Sequence, residues 1–264
     1  MATTQIHTWA IPTAGMHTTV KTKGTSFAKL SAYRSLENHI NSTMQVNGDD
    51  IFITALISQT DKYWFNERWA VFEGISSMLS KTVIVKIRYQ LKPHNRKIPY
   101  LEARTQDGFD NFHRERRVLQ DFGWTSVTPD LIANGQIRQG DDGTCPGAYA
   151  NVLVMSKVPG QSIVSMRDEL TVDDLERIRM QLVFLLESMR IKNWSFDEQE
   201  RSQIFYDKPA QRMYLVGFSR ALQNNIPTDK VSYLTPNSMD ILNFGFKHTI
   251  LTERQTVIPD PYPE

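Results

Sequence analysis

The sequence predicts a mixed fold of the α+β class, with strands concentrated in the first half of the chain and helices in the second. Three observations predict it. Short runs of β-branched and apolar residues recur between residues 51 and 156. A long stretch at 172–191 then carries apolar residues at spacings of three and four. Hydrophobic residues make up 40% of the 264 and charged residues 22%, which is ordinary globular composition.

The strand-rich half contains segments whose residue types are typical of strands. Residues 51–57 form the first apolar, β-branched run, and residues 82–87 form the strongest one. Lys86 lies inside this second run, where a buried amine is costly unless it is paired. A further strand is predicted at 151–155, and a weaker one near 131–132.

An aromatic group lies at residues 63–72, between the first two predicted strands, and residues 64–72 fit either a strand or a helix. Its members are Tyr63, Trp64, Phe65, Trp69 and Phe72. Such a group lines an apolar ligand pocket or covers one face of the core, and the core explanation is favoured.

Two helices are predicted. The first covers 109–119 and ends near Gly123, a residue typical of helix termini. The second runs from Val172 to about residue 191, with Thr171 as the N-cap and Asp174 as the partner of a capping box. A hairpin is predicted next, with strands at 204–206 and 213–216. Residues 1–30 are predicted to form an irregular arm, and residues 255–264 a proline-rich tail.

Charge and cysteine usage restrict the function classes. A formal net charge of +1 gives no reason to expect nucleic acid or an anionic membrane as partner. Cys145 is the single cysteine, so no intrachain disulfide forms, which fits a reducing compartment. The start of the chain lacks the pattern of a secretory signal, and no segment reaches the length of a membrane span. We therefore expect a cytoplasmic protein.

The order of these elements resembles the kinase-like phosphotransferases, in particular the short protein-kinase-like proteins of filamentous fungi. Residues 83–87 resemble the strand of the nucleotide-contacting lysine, here Lys86. Residues 113–119 resemble the helix that supplies its glutamate partner, here Glu115. Residues 152–163 resemble the strand and hinge between the lobes, with Met155 at the gating position of the pocket.

The resemblance implies a two-lobed protein-kinase-like fold. A strand-rich N-lobe would cover 31–156 and a shortened helical C-lobe 157–254. Met155, Val158, Gln203 and Gly217 would then be the residues of a ligand-binding cleft. A Lys86–Glu115 pair fits this arrangement, and the alternative is a lysine that reaches solvent from an edge strand.

The family's catalytic loop reads His-x-Asp, with Asn five residues after the Asp and a strand immediately afterwards. Aligning the strand at 204–206 places Gln203 at the Asn position, Glu198 at the Asp position and Phe196 at the His position. Asp197 is adjacent and would replace Glu198 after a small shift of register. Both acids are candidates for proton transfer, although acids in so polar a stretch are usually solvated.

The residues at that family's metal-binding and phosphate-binding positions are altered in this sequence. Gly217 occupies the position of the second metal-binding acid, and a glycine offers no side-chain oxygen to a hard cation. Residues 58–62, which follow the first predicted strand, contain no glycine where the family has a glycine-rich phosphate loop. We therefore expect neither a metal nor a cofactor.

The leading hypothesis is a catalytically degenerate kinase-fold protein that acts as a binding or scaffold module. Its partner would be a small-molecule ligand or a protein, bound in or near the cleft between the lobes. The alternative is a small-molecule-modifying enzyme of fungal secondary metabolism, such as a cyclase, isomerase or dehydratase, that reuses Lys86, Glu115 and Glu198. A divergent active phosphotransferase ranks third, because Gly217 removes the strongest metal ligand.

Overall fold

The computed structural model describes residues 21–23, 36–92, 101–139, 145–197, 199–224 and 232–246. These residues have a mixed, strand-rich fold with two long helices. They form two compact units, each assembled from separate stretches of the chain. The first unit comprises the described parts of 1–63, 67–96 and 133–154, and the second those of 64–66, 97–132 and 155–264.

A seven-stranded sheet carries most of the first unit. Its strands in chain order are β1 (Lys21–Lys23), β2 (Thr43–Val46), β3 (Asp49–Lys62), β4 (Glu67–Ser76), β5 (Lys81–Gln90), β6 (Leu131–Arg138) and β7 (Tyr149–Ser156). Their spatial order is β1-β2-β3-β4-β5-β7-β6. Strands β1 to β5 form an antiparallel meander, so short local turns set most of the register.

Two tight turns hold this meander. Asn47 and Gly48, both with positive φ (52° and 84°), join β2 to β3 as a two-residue turn that suits strand twist. At the same end of the sheet, the buried Asp49 carboxylate accepts hydrogen bonds from the Ser76 hydroxyl at 2.5 Å and the Met78 amide at 3.0 Å. These bonds tie the β2–β3 turn to the β4–β5 turn.

The two faces of β5 differ in chemistry. Val83, Val85 and Ile87 point to one face and are fully buried. The imidazole of His39 packs edge-on to Phe72 on this apolar side, at 5.9 Å between ring centroids. The opposite face of the strand carries Lys86 and Arg88. The core of the first unit therefore lies on one side of the sheet, and the other side carries buried charge.

The second unit combines helices with short strands. Its helices are α1 (Leu101–Phe122), α2 (Val172–Ile191) and α3 (Met239–Leu242). Its strands are β8 (Gln161–Ser162), β9 (Trp194–Phe196), β10 (Ile204–Asp207), β11 (Arg212–Leu215) and β12 (Ala221–Gln223). Strands pair in the order β11-β10-β8 and, separately, β12-β9. Helix α1 packs against β12 and the 3-10 turn before it, and α2 packs against β9 and β11.

The start of α2 is fixed by a complete capping box. The Thr171 hydroxyl accepts from the Asp174 amide at 3.1 Å, and the Asp174 carboxylate accepts from the Thr171 amide at 3.0 Å. The same carboxylate accepts from the Tyr206 hydroxyl at 3.1 Å, and Lys208 lies 3.6 Å away. The cap therefore also attaches α2 to the β10–β11 hairpin.

The structure confirms the predicted elements and extends several of them. The strand predicted at 51–57 is β3 and runs on to Lys62, and the strand predicted near 131–132 is the eight-residue β6. The ambiguous segment at 64–72 is a strand from Glu67 onward, preceded by a turn. Extension of β3 is a tertiary effect, since ten of its residues pair with β4.

Two expectations need adjustment. Residues 21–23 of the predicted irregular arm form strand β1, paired with Thr43–Gln45 of β2, because backbone pairing at the sheet edge orders them. The other residues of the arm 1–30 lie outside the described residues, and so does the tail 255–264. The aromatic group does not cover one core face: Tyr63 and Trp64 are exposed, while Trp69 and Phe72 lie on opposite faces of β4.

None of the helices in the described ranges combines the length and the hydropathy that a bilayer crossing requires. The domain limits at 31–156 and 157–254 remain a prediction. Helix α1 is grouped with the second unit because it packs against the turn at 218–220 and against β12.

Candidate functional site

Lys86 lies on an interior strand. Strand β5 has neighbours on both sides, β4 and β7, so the alternative of a lysine on an edge strand is wrong. The residue is 8% exposed, and its side chain lies on the charged face of the sheet. A buried amine requires favourable partners to remain charged.

Part of that stabilisation comes from Trp69. The Lys86 Nζ atom lies 4.8 Å from the centroid of the Trp69 ring. The Arg88 guanidinium carbon lies 4.4 Å from the same ring, and Lys62 Nζ 5.2 Å from it. Antiparallel pairing explains the assembly, because Trp69 is directly opposite Arg88 while Val71 is opposite Lys86. Three cationic groups therefore lie close to one indole ring.

A buried carboxylate orients this ring. Glu67 is fully buried, and one of its oxygens accepts from Trp69 Nε1 at 2.6 Å. Its other oxygen accepts from the Tyr149 hydroxyl at 2.7 Å. Burial, with the nearby Glu67 charge, raises the pKa of the Tyr149 hydroxyl, so it stays protonated as the donor. We call Lys62, Glu67, Trp69, Lys86, Arg88 and Tyr149 the Trp69 cluster.

The second unit carries the other predicted residues of the lysine pair and the pocket. Glu115 is on α1 and is 2% exposed, so its carboxylate is buried. Met155 is buried near the end of β7, and Val158 is half-buried just after it. The Lys86–Glu115 pair and the lining roles of Met155 and Val158 stay predictions.

Gly160 fixes the course of the chain beyond Val158. A Cβ atom at Gly160 would lie 2.2 Å from the backbone oxygen of Tyr206, and its φ is +83°. Only glycine permits so close an approach in this conformation. The approach lets β8 pair with β10, where Phe205 is opposite Ser162. The segment after β7 is therefore fixed against the strand that follows Gln203.

The His position of the family loop is occupied by a buried ring. Phe196 is 4% exposed and meets Phe218 edge-to-face at 5.6 Å. It also stacks with Phe244 at 5.8 Å and 12° between the ring planes. This position is apolar, so it supplies no proton carrier.

Asp197, one of the two candidate acids, is held in an ion pair. Its carboxylate lies 3.1 Å from Arg220, and the two side chains are 52% and 42% exposed. The Asp197 amide also donates to the Arg220 carbonyl at 3.4 Å. Asp197 is therefore a solvent-exposed acid that is paired with Arg220. Glu198, the other candidate, lies outside the described residues.

Gln203 and Gly217 are neighbours in space. Gln203 Nε2 lies 3.5 Å from where a Cβ atom would stand at Gly217. The amide of Val216 also donates to the Gln203 carbonyl at 3.0 Å. Gly217 has φ +83° and ψ 49°, the left-handed region in which most other residues are strained. The predicted pair of metal-ligand positions is brought together, but one of them has no side chain.

The side chain of Gln203 is used within its own loop. Its Oε1 atom accepts from the Glu200 amide at 3.1 Å. The carboxamide oxygen that a metal ion would need is therefore engaged by the backbone three residues earlier. Among the described residues, no three His, Cys, Asp or Glu side chains are grouped to hold a metal ion.

The turn between β3 and β4 differs from the loop predicted at 58–62. Because β3 runs to Lys62, the turn comprises residues 63–66, and it also contains no glycine. Phe65 and Asn66 are buried, while the exposed Trp64 stacks with Arg104 of α1 at 4.4 Å. The turn is therefore aromatic, and Trp64 connects it to α1.

The site includes residues that the sequence did not single out. Trp69 was assigned to the core, and Glu67, Arg88 and Tyr149 carried no motif. The available signal was the spacing of Lys86 and Arg88, two cations two residues apart in an apolar strand, which places both on one face.

Comparison with known proteins gives fold-level likeness alone. No protein-family model matches the chain, and neither does any curated protein. A crystal structure of WbdD aligns over 69% of this chain and 36% of that one, with 18% identity and a TM-score of 0.46. The structure of the Cydia pomonella granulovirus kinase PK-1 aligns over 64% and 52%, with 13% identity and a TM-score of 0.43. The chain thus spans between a third and about half of these two structures.

Proposed function

We propose that this chain is a kinase-fold protein that has lost metal-dependent phosphoryl transfer and acts as a binding or scaffold module. The observation that carries the proposal is Gly217 beside Gln203. Phosphoryl transfer depends on metal ions that neutralise charge on the phosphates. Gly217 has no side-chain oxygen, and the neighbouring Gln203 carboxamide already accepts a hydrogen bond from the Glu200 amide. Both features support the loss of that metal site.

Two further features of the second unit support the same conclusion. Asp197 is exposed and paired with Arg220, which does not favour it as the base for a hydroxyl nucleophile. Phe196 replaces a histidine with a ring packed between Phe218 and Phe244. The Asp197 carboxylate is thus engaged in a surface ion pair, and the ring of Phe196 in a packing contact.

The first unit, by contrast, keeps a buried lysine in a defined environment. Lys86, Arg88 and Trp69 are all buried, and Glu67 orients the indole. Their retention supports a binding role for this face, with a small-molecule ligand or a protein as partner.

A thermal-shift experiment tests the proposal. We expect the melting temperature in ATP with Mg²⁺ to equal that in ATP with EDTA, because the metal has no built site. An additional rise of several degrees with Mg²⁺ that is lost in Lys86→Ala would contradict the proposal. Lys81→Ala is the matched control, since Lys81 lies on the same strand and is exposed.

The enzyme alternative, in fungal secondary metabolism, depends on an acid or base placed at the site. Its main candidate, Glu198, is outside the described residues, so this alternative stays a prediction. It would gain support if purified protein turned over a small molecule and Glu198→Gln removed the turnover while Glu200→Gln did not.

A further inference from the structure

One exposed tryptophan of the second unit is held in a fixed orientation. Trp124 is 56% exposed and lies in the 3-10 turn Gly123–Thr125 that follows α1. Its Nε1 atom donates to the Asp121 carbonyl at 2.9 Å. The Thr125 hydroxyl of the same turn donates to the Phe122 carbonyl at 2.6 Å. The turn therefore presents an aromatic ring to solvent in a defined position.

Lys192, the residue after α2, reaches the same point. Its Nζ atom donates to the Asp121 carbonyl at 3.0 Å, and it lies 5.1 Å from the ring centroid of Phe122 and 5.9 Å from that of Trp124. Contacts between a cation and an aromatic ring are favourable, and so is a cation at the carbonyl end of a helix. The ammonium group is therefore held beside Trp124, although the residue is exposed.

Arg117 places a second cation one helical turn before Asp121. Its Nη1 atom donates to Gln223 Oε1 at 2.9 Å, and both residues are exposed. Gln223 is opposite Trp194 in the β12–β9 pair, and Trp194 Nε1 donates to the Asp121 carboxylate at 3.2 Å. These contacts join α1, β9 and β12 at one surface. We call Arg117, Trp124 and Lys192 the Trp124 surface.

The two cations of the Trp124 surface have no carboxylate partner. Within the described part of the chain, neither Arg117 nor Lys192 forms an ion pair. The Asp121 carboxylate is bonded to the buried Trp194 instead. An arginine has five N–H donors in a fork that suits a carboxylate, and the Gln223 oxygen accepts from only one of its nitrogens. An incoming carboxylate would therefore find unused donors beside an exposed indole.

We propose that the Trp124 surface is a docking site for an acidic segment of a partner protein. Carboxylates of the partner pair with Arg117 and Lys192, and an apolar partner residue covers the Trp124 ring. Tryptophan and arginine are enriched among the residues that contribute most to protein interfaces, and a side chain already held in place loses little freedom on binding. A nucleic acid suits this surface less, because its affinity grows with the number of phosphates neutralised and only two cations are present.

This inference goes beyond the proposed function. It assigns a partner class to a surface of the second unit, and it does not depend on the loss of the metal site at Gly217.

Selection from a displayed library of random dodecapeptides, with the full chain as bait, tests the proposal. We expect the selected peptides to be rich in Asp and Glu and to contain an apolar residue. The most enriched sequence, as a synthetic peptide in a fluorescence-anisotropy titration, should bind Trp124→Ala about tenfold more weakly than the parent. Arg117→Gln should weaken binding about fivefold, with a smaller loss at high salt. Trp64→Ala is the matched control, because Trp64 is also exposed and also lies over a cation, Arg104.

A further variant tests the sign of the charge. Asp130 is exposed, and its carboxylate lies 3.7 Å from where a Cβ atom would stand at Gly123 of the turn. Since this acid repels an acidic peptide, Asp130→Asn should tighten binding about twofold. Weaker binding by this variant would contradict the assigned charge of the partner.

The remaining outcomes also decide the proposal. Selected peptides without an excess of acids, or equal affinities for the parent and Trp124→Ala, would overturn the docking site. Tighter binding of single-stranded oligouridylate than of the peptide, lost in Trp124→Ala, would overturn it in favour of nucleic acid. All of these results leave the proposed function standing, because its own test is the effect of Mg²⁺ on ATP binding.

Discussion

Acidification should destabilise the protein through His39. This imidazole is 6% exposed, packs edge-on to Phe72 and stacks with Tyr89. Burial lowers its pKa from 6.5 to about 4, so the folded chain holds it neutral. A lowered pKa means that its contribution to stability is complete above pH 6.5 and is lost as the pH falls toward 4.

The magnitude follows from that difference in pKa. A shift from 6.5 to about 4 corresponds to about 3 kcal/mol in total. Between pH 7 and pH 5 the expected loss in the free energy of unfolding is about 2 kcal/mol. The assay is urea unfolding at the two pH values for the parent and for His39→Phe, which keeps a buried ring and removes the titration. The parent should lose about 2 kcal/mol more than the variant.

The control for this experiment is Tyr89→Phe. The Tyr89 hydroxyl lies 3.5 Å from His39 Nε2, a marginal hydrogen bond. Because burial and not this contact lowers the pKa of His39, Tyr89→Phe should retain the acid sensitivity of the parent. Equal acid sensitivity in the parent and in His39→Phe would refute the assignment.

Two other predictions concern the second unit and the first hairpin. The pKa of Asp174 is lowered to about 2, chiefly by the Thr171 amide and hydroxyl, so Asp174→Asn should lower the melting temperature near neutral pH. The difference from the parent should shrink as the pH falls from 3.8 toward 2; a constant difference across that range would contradict the capping role. Gly160→Ala should lower the free energy of unfolding by more than ~1 kcal/mol, because the alanine Cβ would clash with the Tyr206 carbonyl and the backbone would also be strained. Gly48→Ala is the matched control, with φ +84° and open space around its Cβ, and should cost about 1 kcal/mol in urea unfolding; equal costs would argue against the close approach.

Much of the fold could be predicted from the sequence because its signals are local. Thr171 and Asp174 form the expected capping box, and α2 ends at Ile191 as its apolar pattern indicates. The β-branched run around Lys86 is a strand. Asn47 and Gly48 form a two-residue turn that was not among the predictions, although an Asn-Gly pair is an equally local signal for a hairpin.

The candidate site was harder to predict because its geometry is not local. Trp69 and Arg88 become neighbours only through the register of β4 and β5, and Tyr149 reaches Glu67 across 82 positions of sequence. Periodicity within one segment contains no information about such pairings. The proximity of Gln203 and Gly217 is more local, since the hairpin between them places Ile204 opposite Leu215.

The proposed loss of metal-dependent nucleotide binding depends chiefly on the residue at position 217. Its most direct test is calorimetric titration of ATP, in Mg²⁺ and in EDTA, for the parent and Gly217→Asp. Aspartate tolerates the left-handed backbone better than most residues, and Gly217→Asn imposes a similar strain without the charge. We expect Mg²⁺ to leave the ATP affinity of the parent and of the Asn variant unchanged and to tighten ATP binding by the Asp variant. Tenfold or greater tightening of the parent by Mg²⁺, about 1.4 kcal/mol, would contradict it.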